Sequence, residues 1–327
     1  MGTMISVVLP VYNEAENLGL LVERLRAALE RFAGDGFEVV FVDDGSTDAS
    51  PEMLDALAAR DPRLKAIHLS RNFGHQAALQ AGLDAAAGDA VVTMDADLQD
   101  PPEVLASLVG KWREGYDVVY AVRRKRKDGL AKRVAYAAFY RSLRAVAEID
   151  VPLDAGDFCL LDRRVVDALG TLGERGRFLR GLRSWVGFRQ VGIEYEREAR
   201  HAGAPKYGVR KLVRLALSGY VGFSSMPLRL AAWLGFLAAG AGFLIALWTA
   251  LTRIFNVPSP RGWSSTMAAI LFVGGVQLVM LGVLGEYLGR VYDEVRRRPL
   301  YIVRSRVGFD EGAAAAPAGR VERRGRG

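Results

Sequence analysis

The sequence predicts an α/β domain built on a mostly parallel sheet, followed by an interfacial amphipathic helix and two transmembrane helices. Three observations support this fold class. Strand-like and helix-like segments alternate over the first 122 residues, two long uncharged segments follow residue 229, and basic residues flank both of them. The alternation implies a mostly parallel sheet with helices on both faces. Each uncharged segment is longer than the roughly 20 residues that cross a bilayer core.

Five apolar segments rich in β-branched residues predict the strands: ISVVLP (5–10), FEVVFVDD (37–44), LKAIHLS (64–70), DAVVTMDAD (89–97) and YDVVYAV (116–122). Apolar residues between them recur at helical spacing. They predict helices over residues 14–32, 51–60, 75–87 and 101–113. Ligands of such sheets bind beyond the carboxyl ends of the strands, so we expect the functional site at that edge.

Pairs of aspartates end two of the predicted strands: Asp43 with Asp44, and Asp95 with Asp97. Neighbouring carboxylates repel each other unless positive charge lies between them, which leaves a divalent cation, an arginine or solvent as the candidates. Oxygen ligands of this kind suit Mg²⁺ or Mn²⁺. The alternative is a pair of solvated surface aspartates, but two acidic strand ends on one edge favour a site.

Composition restricts the chemistry further. The net charge of +7 and the pI near 9.6 indicate an anionic partner, which could be a nucleic acid, a phospholipid or a phosphorylated substrate. A single cysteine, Cys159, excludes an intramolecular disulfide. The chain has neither a GxGxxG dinucleotide loop nor a GxxxxGK[ST] phosphate loop, which argues against a dehydrogenase and an NTPase.

Residues 230–252 and 262–285 contain no charged side chain and predict two transmembrane helices rather than buried helices of a soluble domain. Trp233, Trp248 and Trp263 lie near their ends, where tryptophan favours the membrane interface. The connecting loop holds two arginines, whereas many more basic residues lie outside the pair. The positive-inside rule therefore places both ends of the chain in the cytoplasm.

The predicted organisation has five parts along the chain. Residues 1–205 form the cytoplasmic α/β domain, 206–228 a juxtamembrane amphipathic helix, 229–289 the two-helix membrane domain, 290–310 a cytoplasmic segment and 311–327 a disordered tail. Basic residues at 206, 210, 211 and 214 suit a helix lying on anionic lipid. We expect a multi-pass protein of the cell inner (plasma) membrane.

Eight segments carry a resemblance to a known family. VVLPVYNE (7–14), VDDGSTD (42–48), NFGHQ (72–76) and MDADLQDPPE (94–103) together resemble family 2 glycosyltransferases with the GT-A fold. DAGDFCLLDRR (154–164), FLRGLRSWVGF (178–188), REARHAGAPKYGVRKL (197–212) and EYLGRVYDEVRRRPLYIV (286–303) resemble its polyprenyl-phosphate branch. That branch is similar to dolichyl-phosphate mannose synthase and to bacterial undecaprenyl-phosphate glucosyltransferases. The resemblance extends from about residue 5 to residue 303.

The resemblance implies that a cation and a nucleotide bind at the strand ends. Asp95 and Asp97 are the expected ligands of Mg²⁺ or Mn²⁺, with Gln99 as a weaker ligand or a supporting group. The residues expected to hold the nucleotide diphosphate sugar are Pro10, Tyr12, Glu14, Asp43 and Asp44.

The acceptor in this branch is a phosphate, which is largely a nucleophilic dianion at neutral pH because its second pKa is roughly 6. Asp157 matches the aspartate that the family places at the reacting centre, where it accepts the residual proton or orients the acceptor and the metal. The expected phosphate-binding cations are Arg123, Arg133, Arg200, His201 and Lys206. His75 stays open, since it could equally be a packed interior histidine.

Several of these residues also have purely structural interpretations. Asn13 is a good N-cap for the predicted helix that begins at Glu14, and Asp48 or Ser46 could cap the helix after the second strand. Asp157 could pair with the arginines at 163 or 164. Capping and ligand binding are compatible in one loop.

The implied reaction is inverting, metal-dependent transfer of a sugar from a nucleotide diphosphate sugar to undecaprenyl or another polyprenyl phosphate. Inversion is expected because one in-line displacement needs no enzyme nucleophile. Glucose from UDP-glucose is favoured by the segment at 286–303, and GDP-mannose or another UDP-sugar is the alternative. We expect a homo-oligomer, in the first place a tetramer, and no nucleic acid partner.

Two other functions are weaker. A processive polysaccharide synthase of the same superfamily has more membrane spans and a Q-x-x-R-W motif, which this chain lacks. A catalytically silent membrane scaffold would not need Asp95, Asp97 and Asp157, which are all present.

Overall fold

The computed structural model describes residues 3–34, 36–123, 155–174, 179–196, 226–254 and 262–309. The chain divides into two compact units. The first consists of Met1–Tyr140, Ile149–Tyr207 and Arg298–Gly327, and the second of Arg141–Glu148 and Gly208–Arg297.

The first unit begins with alternating strands and helices. They are β1 (Ile5–Val11), α1 (Ala15–Ala33), β2 (Phe37–Asp43), α2 (Ser50–Arg60), β3 (Leu64–Leu69), α3 (His75–Ala85), β4 (Ala90–Thr93), α4 (Leu105–Arg113) and β5 (Val118–Arg123). Then follow β6 (Ala155–Asp162), α5 (Arg163–Thr171), α6 (Leu179–Trp185) and β7 (Gln190–Tyr195). The second unit holds α7 (Met226–Ile254) and α8 (Trp263–Val295), after which β8 (Val303–Val307) returns to the first unit.

The strands form one sheet in the order β7-β5-β6-β4-β1-β2-β3-β8. β1 pairs in parallel with β2 and β4, β2 with β3, and β5 with β7. Among the described strands, β6 and β8 run antiparallel to their neighbours. The predicted mostly parallel α/β sheet is confirmed, and its five predicted strands all form.

Burial explains why the first strands and helices could be recognised in the sequence. Every residue of β2 is buried, because helices cover both faces of a parallel sheet. The amphipathic helix α1 packs Leu18, Leu21 and Leu25 into the same core, and all three are at most 1% exposed. Burial of such side chains contributes roughly 1.5–3 kcal/mol each.

The fourth strand is shorter than predicted. It ends at Thr93, and the backbone N–H of Met94 makes a last hydrogen bond to Val8 O. The chain then turns, with Leu98 in the left-handed region at φ 59°. Asp95 and Asp97 therefore lie in the turn beyond the strand, not within it.

The second unit is a pair of long helices. α7 and α8 contact each other, and a Cβ added to Gly235 would lie 2.7 Å from Met280 Cε. In the described residues, one helical segment, Phe272–Val295 of α8, is long and apolar enough to cross a membrane. In α7 the apolar segment Ala231–Leu244 is shorter. The second transmembrane helix therefore stays a prediction.

Candidate active site

The loops that follow β1 and β2 are tied to each other. Asn13 donates its backbone N–H to Ser46 Oγ at 3.0 Å, and its Oδ1 accepts the backbone N–H of Thr47 at 2.8 Å. Asn13 has a φ of 55° and lies two residues before α1, so the expectation that it caps this helix is wrong. The expected nucleotide-binding residues Tyr12 and Glu14 flank it, which brings them beside the loop of Asp43 and Asp44.

Asp48 supplies the capping that Asn13 does not. Its Oδ2 accepts the N–H of Ala15 at 3.1 Å, and its Oδ1 accepts the N–H of Ser50 at 3.0 Å. These are the first residues of α1 and α2. One carboxylate thus anchors the starts of both helices beside the strand ends, although the N-cap position of α2 is Ala49 and not Asp48.

Asp43 and Asp44 are both buried and act first as loop anchors. Asp43 Oδ1 accepts the N–H of Ser46 at 2.8 Å, while its Oδ2 lies 3.0 Å from His68 Nδ1. Asp44 accepts the N–H groups of Phe73 and Gly74 at 2.7 and 2.9 Å, which fixes the turn before α3. A direct contact of either carboxylate with a nucleotide stays a prediction.

The acidic residues in the turn after β4 differ in how far they are buried. Asp95 has 34% of its side chain exposed, whereas Asp97 is 8% and Asp100 2% exposed. Asp97 Oδ1 accepts the N–H of Gln99 at 3.2 Å, and Asp100 Oδ1 accepts the hydroxyl of Tyr195 at 2.6 Å. Three carboxylates thus converge on one turn. The contact described for Gln99 involves its backbone N–H, so a role of its side chain toward a metal stays a prediction.

Asp157 comes next to this turn because β6 pairs antiparallel with β4. Thr93 opposes Cys159 in the ladder, and the Thr93 hydroxyl donates to the carbonyl oxygen of Asp157. The Asp157 carboxylate accepts Nε and Nη2 of Arg180, on α6, at 2.8 Å each. His75 Nε2 lies 3.4 Å from Asp157 Oδ2 and 3.7 Å from Asp95 Oδ1.

The alternative interpretation of Asp157, a structural pairing with Arg163 or Arg164, is wrong. Arg163 donates to the carbonyl oxygens of Gly88 and Ala86, and Arg164 pairs with Asp162 and Asp117. Both arginines follow β6 at the opposite end of the strand from Asp157. The ion pair exists, but its partner is Arg180, about twenty residues further along the chain.

The electrostatics of this cluster are uneven. Loss of hydration raises the pKa of Asp95 to about 6; the charge of His75 opposes this rise, and the carboxylates of Asp100, Asp157 and Asp97 add to it. Burial also acts to raise the pKa of Asp157, but Arg180 and His75 together hold it well below its usual range. Burial lowers the pKa of His75, yet Asp157 and Asp95 raise it overall. Negative charge is compensated at Asp157 and in excess at Asp95.

A divalent cation fits that excess. Within the described ranges, no group of three or more His, Cys, Asp or Glu side chains is arranged as a closed metal site. Mg²⁺ and Mn²⁺ do not need one, because they often bind through one or two carboxylates and take their other ligands from water and substrate phosphates. Asp95 and Asp97 offer such a donor set, and an ion there would neutralise the crowded carboxylates.

The predicted phosphate-binding cations are mostly outside the described residues. This holds for Arg133, Arg200, His201 and Lys206; Arg123 ends β5, where its backbone pairs with Tyr195. Instead, His75 lies close to both Asp95 and Asp157, and Arg180 pairs with Asp157; neither His75 nor Arg180 was predicted to act. Both lie in segments that carry the family resemblance, NFGHQ and FLRGLRSWVGF, and this was the available signal.

Known proteins resemble this chain along most of its length. The family described as Glycosyl transferase family 2 matches residues 6–170, and the family described as GtrB C-terminal hairpin matches residues 226–291. An uncharacterized glycosyltransferase, YkcC of Bacillus subtilis (strain 168), is 46% identical over 93% of this chain and 94% of its own.

Two further relatives have more specific names. The SfII prophage-derived bactoprenol glucosyl transferase of Shigella flexneri is 43% identical over 92% of this chain and 97% of its own. A prophage bactoprenol glucosyl transferase homolog of Escherichia coli (strain K12) is 40% identical over 92% of this chain and 98% of its own. Each similarity includes both the α/β unit and the helical hairpin.

Proposed function

We propose a function from the premise that these matches establish: the chain belongs to glycosyl transferase family 2 and is a glycosyltransferase. It transfers a sugar, glucose in the first place, from a nucleotide diphosphate sugar to a polyprenyl phosphate at the cytoplasmic face of the membrane. The transfer requires Mg²⁺ or Mn²⁺ and inverts the anomeric configuration. The observation that carries this proposal is the cluster in which His75 Nε2 lies within 3.7 Å of both Asp95 and Asp157.

Asp157 acts where the acceptor attacks the sugar. Arg180 and His75 hold its pKa well below the usual range against the effect of burial, so it is ionised at neutral pH. A carboxylate with so low a pKa is a weak proton acceptor, so orienting the acceptor is the role that it suits. A phosphate dianion is already a nucleophile, so a strong base is not required. A single displacement by this nucleophile leaves the sugar inverted.

Asp95 and Asp97 would hold the ion on the donor side of the site. The ion would neutralise the charge that develops on the leaving nucleoside diphosphate. The linked loops of Tyr12–Glu14 and Asp43–Asp44 lie on neighbouring strands at the same edge, which supports nucleotide binding there. Pro10, the last residue but one of β1, is the remaining residue that we expect to contact the donor.

The proposed acceptor and the proposed location of the protein rest on the relatives and on the helices α7 and α8. One relative is named a bactoprenol glucosyl transferase and another a homolog of one, which supports a polyprenyl phosphate acceptor and glucose as the sugar. α8 is apolar enough to cross a membrane, and we propose that α7 crosses it too. The interfacial helix at 206–228, the phosphate-binding basic residues and the tetramer remain part of the proposal.

Formation of a labelled lipid tests the function. Full-length protein in detergent is incubated with undecaprenyl phosphate, Mn²⁺ and radiolabelled UDP-glucose, UDP-galactose or GDP-mannose in parallel. We expect labelled lipid, most with UDP-glucose, and none in the presence of excess chelator. The Asp157→Asn variant should lose the product while retaining its thermal unfolding transition. If no donor gives labelled lipid with the wild-type protein, the chain is not this enzyme and the scaffold interpretation gains support.

A further inference from the structure

α6 carries Arg180, whose planar guanidinium pairs with the carboxylate of Asp157 at the proposed reacting centre. Arg180 Nε and Nη2 each lie 2.8 Å from one oxygen of Asp157. The side chain of Arg180 is 31% exposed and that of Asp157 11%. The ion pair therefore forms part of the wall of the site and can be reached from solvent, unlike a pair that serves only to hold a core together.

The helix that carries Arg180 is fixed on both sides of it. The backbone N–H of Leu179 donates to Gln76 Oε1 at 3.1 Å, which ties the start of α6 to α3. One turn further on, Arg183 is 2% exposed and its guanidinium lies 5.0 Å from the ring centroid of Tyr120. The backbone of Arg180 is thus fixed on both sides, and the ion pair with Asp157 orients its guanidinium.

Two nitrogen-bearing side chains meet the Asp157 carboxylate. The Arg180 guanidinium lies at 2.8 Å and His75 Nε2 at 3.4 Å. The fork geometry of arginine that fits a carboxylate fits two oxygens of a phosphate equally well. A phosphate dianion carries more charge than a carboxylate, so it competes well for the same guanidinium.

We propose that Arg180 is a phosphate receptor that Asp157 holds in place until substrate binds. A substrate phosphate then replaces Asp157 as the partner of the Arg180 guanidinium, and the Asp157 carboxylate turns toward the reacting atoms. This inference rests on the proposed function and deepens it by naming a phosphate-binding residue outside the predicted basic set. The ligand chemistry is a phosphate oxyanion, supplied either by the acceptor or by the donor's diphosphate.

Binding measurements on full-length protein in detergent test the proposal and identify the phosphate. The two probes are farnesyl phosphate, as a soluble acceptor analogue, and UDP with Mn²⁺. Arg180→Gln should weaken one of them by about 10- to 100-fold, because a charge-assisted fork is lost. Loss for farnesyl phosphate assigns Arg180 to the acceptor, and loss for UDP assigns it to the donor.

Asp157→Asn provides the opposite change. It removes the carboxylate that competes for Arg180, so the same probe should bind as tightly as to wild type or several-fold more tightly. Arg164→Gln removes the same charge at a 71% exposed position and should change neither affinity. Arg180→Lys keeps the charge without the fork, so its affinity should lie between those of wild type and Arg180→Gln. If Arg180→Gln does not fold, the Lys variant carries the test alone.

The proposal is overturned if Arg180→Gln binds both probes like wild type, or if Asp157→Asn weakens binding as much as Arg180→Gln does. The second result would mean that the ion pair only supports the fold. Labelled-lipid synthesis by the wild-type protein is scored separately. Product formation together with unchanged probe affinities therefore refutes the role of Arg180 and leaves the proposed function standing.

Discussion

His75 Nε2 lies 3.4 Å from Asp157 Oδ2, so the first residue of α3 reaches the acidic residue that follows the start of β6. The same nitrogen lies 3.7 Å from Asp95 Oδ1. A histidine that the sequence could not distinguish from a core residue therefore joins the expected metal ligand to the expected catalytic carboxylate.

Replacing His75 should impair transfer through loss of its charge. His75→Gln keeps hydrogen-bonding capacity but removes the cation between Asp95 and Asp157, and we expect kcat to fall by about 10- to 100-fold. The initial rate of lipid glycosylation at saturating substrates measures this. His75→Gln activity equal to that of wild type, with an unchanged Tm, would show that the imidazolium charge is not used.

Metal affinity should depend on pH in a range that is unusual for a carboxylate. Loss of hydration and neighbouring carboxylates raise the pKa of Asp95 to about 6, against the effect of His75. Protons then compete with the ion below that pH, so the apparent Kd for Mn²⁺ should rise by about tenfold per unit as pH falls below 6. Titrations between pH 5 and 7.5 measure it. Asp95→Asn should bind weakly without this slope, and a wild-type Kd that is constant over the range would contradict the assignment.

His68 should stabilise the fold in a pH-dependent way. Its Nδ1 lies 3.0 Å from Asp43 and its Nε2 2.9 Å from Asp55, and a ring that donates to both carboxylates is the charged imidazolium. The hydrogen bond to Asp43 raises the pKa of His68 despite the opposing effect of burial, and Asp55 adds to the rise.

A raised pKa in the folded state gives stabilisation that is fully present below the unfolded value of about 6.5 and is lost as pH rises through the folded value. His68→Gln should therefore lower the free energy of unfolding by about 1–3 kcal/mol at pH 6 and by less at pH 9. Denaturant unfolding in detergent at several pH values measures the difference. Asp55→Asn should show a smaller pH slope of the same sign, and an equal loss for His68→Gln at every pH would rule out the charged pair.

Gly45 should resist substitution, whereas Gly19 should not. Gly45 follows Asp44 at a φ of 72°, and an added Cβ would lie 2.6 Å from the backbone carbon of Arg71. Gly45→Ala should destabilise by about 1–3 kcal/mol and weaken UDP binding, because the loop of Asp43 and Asp44 must shift. Gly19 lies in α1 with open space around its Cβ position, so Gly19→Ala should stabilise by about 0.5–1 kcal/mol. Equal effects of the two variants on Tm would contradict the loop geometry.

The first half of the fold could be predicted because its signals are local. β1 to β5 are buried runs bounded by turns, and the helices between them have apolar stripes at helical spacing. β8 was missed for a physical reason: VRSRV is an edge strand in which Arg304 and Ser305 are exposed, and an edge position needs no apolar pattern. β6 was recognised only as a motif, since its pairing with β4 joins segments more than sixty residues apart.

The candidate site likewise combines residues that are visible in the sequence with contacts that are not. Asp95, Asp97 and Asp157 could be singled out because carboxylates after strands and in family motifs are visible in the sequence, and their roles stay predictions. The contact between Arg180 and Asp157, and that between His75 and Asp157, depend on how α6 and α3 pack against β6. No periodicity encodes such a contact. The structural alternative for Asp157 therefore named arginines nearby in the sequence, and the partner in the structure is Arg180 instead.

A structure of the full-length protein with Mn²⁺ and a non-transferable UDP-glucose analogue tests the central claim most directly. The account predicts an ion coordinated by a carboxylate oxygen of Asp95 or Asp97 and by the analogue's diphosphate, with the anomeric carbon facing Asp157. A diphosphate bound elsewhere, with these two aspartates facing only water, would contradict it.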